Sequence, residues 1–187
     1  MLEALISSKT RVKLLTLFLL NPGSEFYIRE IVRSTGENIN SVRRELCNLE
    51  SFGLLLGEKK GNQQYYTVNT GHFLYPELQK IVLKTEGVSG VLKRTFAGEV
   101  ITCMFMYGSF AKGTAGAKSD IDLFIVGAID EDRLIPVIHS CELETGREIN
   151  YTLMTSDELK KKRKQGDPFV KNVMTEEKIL ICGTCDD

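Results

Sequence analysis

A glycine-rich segment enclosed by two apolar runs is the most distinctive feature of the chain: residues 108–127 read GSFAKGTAGAKSDIDLFIVG. Residues 100–107 form the apolar run before it, and residues 121–126 form the run at its end. Continuous apolar runs of this length are typical of buried strands, so the sequence predicts a strand, a loop and a second strand. Asp120 and Asp122 would then point to the same face of the second strand, with Cα atoms about 7 Å apart.

The loop has the composition of a phosphate site. Gly108 lets the backbone turn and come close to a ligand, and a helix opening at Ser109 would present free amides. Lys112 and Lys118 have side chains long enough to reach a polyphosphate. Tight turns use the same residue types, so the loop alone does not separate a ligand site from an ordinary turn.

The two aspartates favour a divalent cation. Carboxylates this close repel each other by about 1 kcal/mol or more, and a cation between them removes that cost. Oxygen ligands beside a polyphosphate favour Mg²⁺, which would bridge the phosphates and lower the pKa of an attacking hydroxyl. Either aspartate alone would be interpreted as an exposed strand end.

Together, the Gly-Ser pair, the glycine-containing spacer and the Asp-x-Asp resemble the signature of the DNA polymerase beta nucleotidyltransferase superfamily, and most closely its minimal nucleotidyltransferases. The resemblance implies that Gly108 and Ser109 contact nucleotide phosphates and that Asp120 and Asp122 hold the catalytic metals. Ser119 precedes the first aspartate, as it does in that pattern, and is likewise a predicted nucleotide contact. The resemblance also implies Mg²⁺, ATP or another NTP as substrate, and transfer of a nucleoside monophosphate, usually AMP, to a protein or other acceptor.

Active members of that superfamily usually carry a third carboxylate on a neighbouring strand. Here the strand reads REINYTLMT, and the expected position holds Asn150, which cannot accept a proton at neutral pH. Alternation puts Glu148 on the same face, so Glu148 is the predicted base. The alternative is an exposed Glu148 paired with Arg147 or a lysine, which would leave a pocket that binds a ligand without turnover.

The first half of the chain has helical periodicity instead. A stripe of Val12, Leu15, Phe18 and Leu19 predicts a first helix, and two short helices follow at about residues 27–35 and 40–52. Apolar runs at residues 54–56 and 65–68, separated by a polar turn at residues 59–63, predict a hairpin. Three short helices followed by a hairpin are typical of a helix-turn-helix with a wing.

This segment resembles the winged-helix regulators of the arsenical-repressor type, through IREIVRSTGENINSVRRELCNLESFGLL and YYTVN. The resemblance implies that the third helix enters the major groove of double-stranded DNA and that the hairpin lies beside the backbone. Arg and Asn side chains can read guanine and adenine edges. The predicted DNA-binding residues lie on the outer face of the third helix and in the hairpin: Asn40, Ser41, Arg43, Arg44, Asn48, Lys59 and Lys60. A module for dimerisation or protein docking is the alternative.

Charge and pattern change together along the chain. Residues 1–85 carry 11 Lys and Arg against 8 Asp and Glu, whereas residues 86–187 carry 13 against 17. A basic half suits phosphate backbones and an acidic half suits divalent cations. An amphipathic helix at residues 72–85 would either connect the halves or, as in the regulators it resembles, pack in a homodimer. Residues 86–90 have the composition of a joint, so we expect a winged-helix domain over residues 1–86 and a nucleotidyltransferase-like domain over residues 87–187.

The second half alternates strands and helices, with further helices at about residues 130–144 and 156–165 and strands at 148–154 and 178–182. The expected fold is α+β in two domains, the second a small α/β domain with a mixed sheet. The apolar run near residue 14 is too short for a bilayer and has no cleavage site, which predicts a cytoplasmic protein without a membrane partner. Five irregularly spaced cysteines argue against a disulfide framework, and Cys182 and Cys185 are expected in a fraying tail.

The leading hypothesis is a DNA-binding protein whose second domain is a Mg²⁺-dependent nucleotidyltransferase. The alternative is a transcriptional regulator whose second domain is catalytically inactive and senses nucleotide or metal.

Overall fold

The computed structural model describes residues 2–116 and 118–185 and forms two compact units, Met1–Glu86 and Gly87–Asp187. Within the described residues, no helix is both long and apolar enough to cross a membrane.

Four helices and a small antiparallel sheet form the first unit. After a short 3-10 helix at Leu2–Ala4, the elements are α1 (Lys9–Leu20), β1 (Phe26–Tyr27), α2 (Ile28–Thr35), α3 (Ile39–Ser51), β2 (Leu55–Lys60), β3 (Gln63–Val68) and α4 (Tyr75–Thr85). The strand order is β1-β3-β2, with both pairs antiparallel. Gly36 ends α2 in the left-handed conformation, which turns the chain directly into α3.

The apolar stripes of these helices meet in one core. Val42, Leu46 and Leu49 of α3 are buried against α1, which confirms the predicted inward face. The hairpin is longer than predicted, because Lys59 and Lys60 lie in β2 and Gln63 lies in β3. Gly61, with φ 60°, allows the two-residue turn that pairs Lys60 with Gln63.

The second unit is a mixed four-stranded sheet with five helices among its described residues. Its elements are α5 (Gly87–Thr95), β4 (Ile101–Tyr107), α6 (Gly108–Ala111), β5 (Ile121–Gly127), α7 (Glu131–Thr145), β6 (Ile149–Met154), α8 (Ser156–Lys164), α9 (Pro168–Thr175) and β7 (Ile179–Gly183). The strand order is β6-β5-β4-β7; β5 and β6 run parallel, and the other pairs are antiparallel. The expected α+β class with a mixed second sheet is confirmed.

Helices α8 and α9 cover one face of this sheet. Phe105 and Phe124 stack on that face and pack with Leu159 of α8 and with Val170 and Val173 of α9. Side chains alternate along each strand, so Asp122 lies on the same face as Phe124, at the uncovered end of the strand. The predicted site therefore begins where the apolar core ends.

Two helices of this unit were not predicted. Helix α5 occupies the segment expected to be a joint, because Val88 and Leu92 are buried and the small residues between them allow close packing against α7. Helix α9 has clear local signals, an Asp167 cap that accepts from the Val170 amide and a proline in its first turn. Its apolar residues form too short a stripe to indicate a helix by periodicity.

The expectation of a fraying tail without a disulfide is wrong, because Cys182 lies in β7 and Cys185 is disulfide-bonded. Cys103 of β4 and Cys185 form a disulfide, with Cα atoms 5.4 Å apart. The antiparallel pairing of β4 with β7 brings these residues together from 82 positions apart, which irregular spacing does not reveal. Cys47, Cys141 and Cys182 are free.

Candidate active site

Gly108 and Asp122 form the centre of the site. Gly108 has φ 69°, a conformation that favours glycine, and a Cβ at this position would overlap the Asp122 carboxylate. Tyr107, the last residue of β4, is the antiparallel partner of Asp122. The loop that follows β4 thus starts directly beside the second aspartate, with Ser109 half-buried in its first turn.

The rest of the loop folds back on itself. The Thr114 amide donates to the Ser109 carbonyl at 3.0 Å, and the Ser119 amide donates to the Gly116 carbonyl at 3.2 Å. The Ser119 hydroxyl, predicted to contact nucleotide, accepts from the Gly116 amide at 2.9 Å. Ser119 therefore shapes the turn that leads into Asp120.

The two aspartates differ in environment. Asp120 is exposed, whereas Asp122 is half-buried. Burial, and then repulsion from Asp120, raise the pKa of the Asp122 carboxyl, although a hydrogen bond with the Asn150 side chain partly opposes the shift. A neighbouring cation would relieve this repulsion, so the pair fits a divalent metal.

The third position beside the aspartates holds Asn150. Parallel pairing of β5 with β6 sets Asn150 next to Asp122, and the two side chains are hydrogen-bonded. Glu148 lies one step before β6 and is exposed. Its backbone carbonyl accepts from the Ile121 amide at 2.9 Å. No cluster of three or more His, Cys, Asp and Glu able to hold a metal occurs within residues 2–116 and 118–185. Asp120, Asp122 and Asn150 are the residues whose side-chain oxygens would hold a Mg²⁺ at this place.

The two predicted lysines have different surroundings. Lys112 forms an ion pair with Glu176, just after α9, at 2.9 Å. Lys118 is exposed, and no ion pair of it is found in the described part of the chain. Glu176 was not predicted, because it belongs to the site only through the packing of α9.

Arg147 is the main site residue that sequence reasoning missed. The sequence suggests Arg147 only as a partner of Glu148. In the structure its side chain is 7% exposed, and its Nη1 donates to the carbonyls of Gly116 and Ser119. Its guanidinium lies 5.2 Å from the Phe110 ring centroid. Burial lowers the pKa of Arg147, and the charge of Asp120 partly opposes this.

Tyr107 was also missed. Burial, and then the charge of Asp122, raise the pKa of its phenol, which is hydrogen-bonded with Thr152 of β6. Tyr107 and Thr152 thus form the inner wall beside Asp122, where the site meets the core. Alternation along β4 and β6 could have placed both residues on this face.

In the first unit, the predicted DNA-binding residues of α3 differ in exposure, and one of them lines a groove. Asn40, Arg43 and Arg44 are exposed on α3, and Ser41 is half-buried. Arg43 lines a groove of about 430 Å³ between the helices and the hairpin. Four polar residues that were not predicted, or were predicted only as turn, line the same groove: Arg29, Asn62, Gln63 and Gln64.

The remaining predicted DNA contacts lie elsewhere. Asn48 donates to Glu45 at 3.3 Å and lines a separate hollow with Arg11. Lys59 and Lys60 are both exposed, and Lys60 forms an ion pair with Glu25 at 2.6 Å.

A strand that turns at a Gly-Ser pair, beside a strand that begins with two aspartates in a mixed sheet, is the organisation of a nucleotidyltransferase domain. The family model described as "Nucleotidyltransferase domain" matches residues 88–181, half of the chain. The chain belongs to this family, and the match lies within the second unit.

Two further comparisons concern single proteins. "Putative protein adenylyltransferase MJ0604" of Methanocaldococcus jannaschii is 35% identical over 89 residues, which cover 48% of this chain and 86% of that protein. A solved structure described as "Crystal structure of the toxin-antitoxin with AMP-PNP" is 13% identical, with a TM-score of 0.38, over 52% of this chain and 74% of that one.

Proposed function

We propose that the second unit transfers a nucleoside monophosphate from an NTP to an acceptor, foremost AMP from ATP, with Mg²⁺ held by Asp120 and Asp122. The contact between Gly108 and Asp122 carries the proposal, because it fixes the loop expected to hold phosphate against a metal-binding carboxylate. The name of the archaeal relative supports AMP as the transferred group and a protein as the acceptor.

The side chains of this domain suit the steps of such a transfer. Ser109 and the loop amides would donate hydrogen bonds to the phosphates, and Lys112 and Lys118 would balance their charge. Mg²⁺ would supply the charge that withdraws electrons from the attacked phosphorus and acidifies the acceptor hydroxyl. Glu148 would take the proton from that hydroxyl as its oxygen bonds to the α-phosphorus and pyrophosphate leaves. Glu148 lies one step before β6 and is the carboxylate nearest in sequence to Asn150.

A second candidate function follows from Asn150. With an amide hydrogen-bonded to Asp122, and Glu148 exposed, the domain would bind nucleotide and metal without a working base. Such a domain would act as a ligand-sensing part of a regulator.

Calorimetry with ATP and Mg²⁺ separates these candidates. We expect metal-dependent binding by the intact protein, loss of it in the Asp120→Ala/Asp122→Ala variant, and pyrophosphate release with cell extract as acceptor source. Glu148→Gln should bind ATP normally and release little pyrophosphate. Binding without release by the intact protein would establish the sensor, and absence of metal-dependent binding would refute both.

For the first unit we propose a winged helix that binds double-stranded DNA through α3 and the hairpin. The order of three helices and a hairpin supports this, as do exposed Arg43 and Arg44 and the groove that Arg43 shares with Arg29. A homodimer through α4 would match two half-sites, and Ile81 is an exposed apolar residue on that helix.

Salt dependence tests the DNA proposal. Each lost phosphate contact should reduce the slope of log affinity against log salt by about 0.9. Arg29→Ala and Arg43→Ala should show this reduction, and Lys9→Ala, an exposed residue at the start of α1 that does not line the groove, should not. Absence of binding to mixed-sequence duplex DNA at low salt would favour protein docking instead, and sedimentation at several concentrations would test the dimer.

A further inference from the structure

Arg147 lies in the link between α7 and β6, directly after the left-handed Gly146. A single nitrogen, Nη1, donates to the Gly116 carbonyl at 3.0 Å and to the Ser119 carbonyl at 2.7 Å. These contacts span 31 and 28 positions of sequence, so they join the strand that carries Asn150 to the loop before Asp120.

The two carbonyls belong to one turn. The Ser119 amide donates to the Gly116 carbonyl, and the Gly116 amide donates to the Ser119 hydroxyl, so two hydrogen bonds link Gly116 with Ser119. Arg147 therefore bonds both ends of a turn whose last residue immediately precedes the first aspartate.

The same guanidinium also contacts the other half of the motif. Its Cζ lies 5.2 Å from the centroid of Phe110, the residue after Ser109. A cation over an aromatic face at this distance is attractive. Arg147 thus connects the residue next to Ser109 with the residue next to Asp120.

Stability alone does not explain an arginine here. Nε and Nη2 are buried and have no hydrogen-bond partner among the residues that the structure describes. Burying charged, unsatisfied donors costs free energy, and an apolar side chain of similar volume would fill the position at lower cost. The two carbonyl contacts are what an apolar side chain could not supply.

We propose that Arg147 is a positioning residue that holds residues 110–120 in the shape required to bind the nucleotide. This inference rests on the proposed nucleotidyltransferase function. Arg147 acts through the turn and through Phe110, and it sets the distance between Ser109 and Asp120.

The test compares Arg147→Met, which keeps the length of the side chain, with Arg147→Lys, which keeps a cationic donor. Arg133→Met is the matched control, because Arg133 also lies over an aromatic ring, that of Phe96, and pairs with Glu99 away from the loop. Hydrogen exchange of peptides covering residues 108–120 and of the remaining sheet is measured without ligand. ATP affinity with Mg²⁺ is then measured on the same proteins.

We expect Arg147→Met to speed exchange of the loop peptides about tenfold, with the sheet peptides unchanged, and to weaken ATP binding by a similar factor, as loss of loop order would. Arg147→Lys should have a loop exchange rate and an ATP affinity between those of Arg147→Met and the intact protein. Arg133→Met should match the intact protein in both. Unchanged loop exchange, or faster exchange throughout the domain in both Arg147 variants, would overturn the proposal. Failure of the intact protein to bind ATP would instead refute the proposed function, and the exchange comparison would still decide the role of Arg147 in the loop.

Discussion

The Asp122 carboxylate occupies the space that a Cβ on residue 108 would need. Gly108 therefore has two roles: it adopts a left-handed conformation, and it admits the carboxylate. A nearby glycine, Gly113, has the same φ of 69°, but among the described residues other than Gly113 and its chain neighbours, no heavy atom lies within 4 Å of the position that a Cβ would take there.

This difference predicts that Gly108→Ala will damage binding far more than stability. The left-handed conformation costs both Gly108→Ala and Gly113→Ala about 1–2 kcal/mol. In Gly108→Ala, Asp122 must also rotate away, so metal-dependent ATP binding should fall more than tenfold. Thermal unfolding and calorimetry of the two variants check this, and equal ATP affinities would contradict it.

A second prediction concerns the missing third carboxylate. Asn150→Asp would place an acid beside Asp122, which should strengthen binding of a divalent metal such as Mg²⁺ or Mn²⁺. In the metal-free protein, repulsion between the two carboxylates should lower the unfolding temperature. If proton removal limits turnover, pyrophosphate release should rise by about a hundredfold, the lower range of general-base catalysis. Asn150→Ala controls for loss of the hydrogen bond to Asp122 alone. Equal turnover in Asn150→Asp and the intact protein would show that an acid at this position is not limiting.

A third prediction concerns acid stability of the first unit. Burial alone would raise the pKa of Glu45, but hydrogen bonds from Arg11, Ser8 and Asn48 lower it overall. The pKa of Glu45 is therefore lower in the folded than in the unfolded protein. Ionised Glu45 stabilises the fold fully at pH values above the unfolded pKa. This contribution is lost as the pH falls through the folded pKa.

Glu45→Gln should therefore cost about 1–3 kcal/mol at neutral pH, as expected for hydrogen bonds to a buried charge. The difference between intact protein and variant should shrink as pH falls from about 5 to about 3, near and below the ordinary glutamate pKa. Urea unfolding at several pH values measures this difference in unfolding free energy. A difference independent of pH would refute the lowered pKa of Glu45.

A fourth prediction concerns the disulfide between Cys103 and Cys185. Closing a loop between residues 82 positions apart stabilises a fold by about 4 kcal/mol when chain entropy is the main contribution. Cys185→Ser should lower the unfolding temperature of the second unit, and Cys182→Ser should not. Adding a reductant should lower the unfolding temperature of the intact protein and of Cys182→Ser, and should leave that of Cys185→Ser unchanged.

Local patterns predicted the parts of the fold that repeat regularly. The inward face of α3 followed from helical spacing, and the neighbouring positions of Asp122 and Asn150 followed from alternation along strands joined by the expected sheet. Helix α5 was missed because its glycines indicate a joint, and only burial of Val88 and Leu92 makes it a helix.

The contacts of the site that span long stretches of sequence could not be predicted. Arg147 reaches Ser119 across 28 positions, and Lys112 meets Glu176 only because α9 ends beside the loop. The predicted DNA-binding set shows a different limit, because helical spacing exposes Asn48 but does not reveal its hydrogen bond to Glu45, three positions away.

Glu176 competes with any anion that binds Lys112, because the two residues form an ion pair. A phosphate that binds Lys112 has to share the ammonium with the Glu176 carboxylate or replace it, so Glu176 lowers the gain from that contact. A triphosphate, with more charge and more contacts, is penalised less than inorganic phosphate or a monophosphate. The pair would thus weaken binding of small phosphates at this lysine by a modest amount, because both side chains are partly exposed.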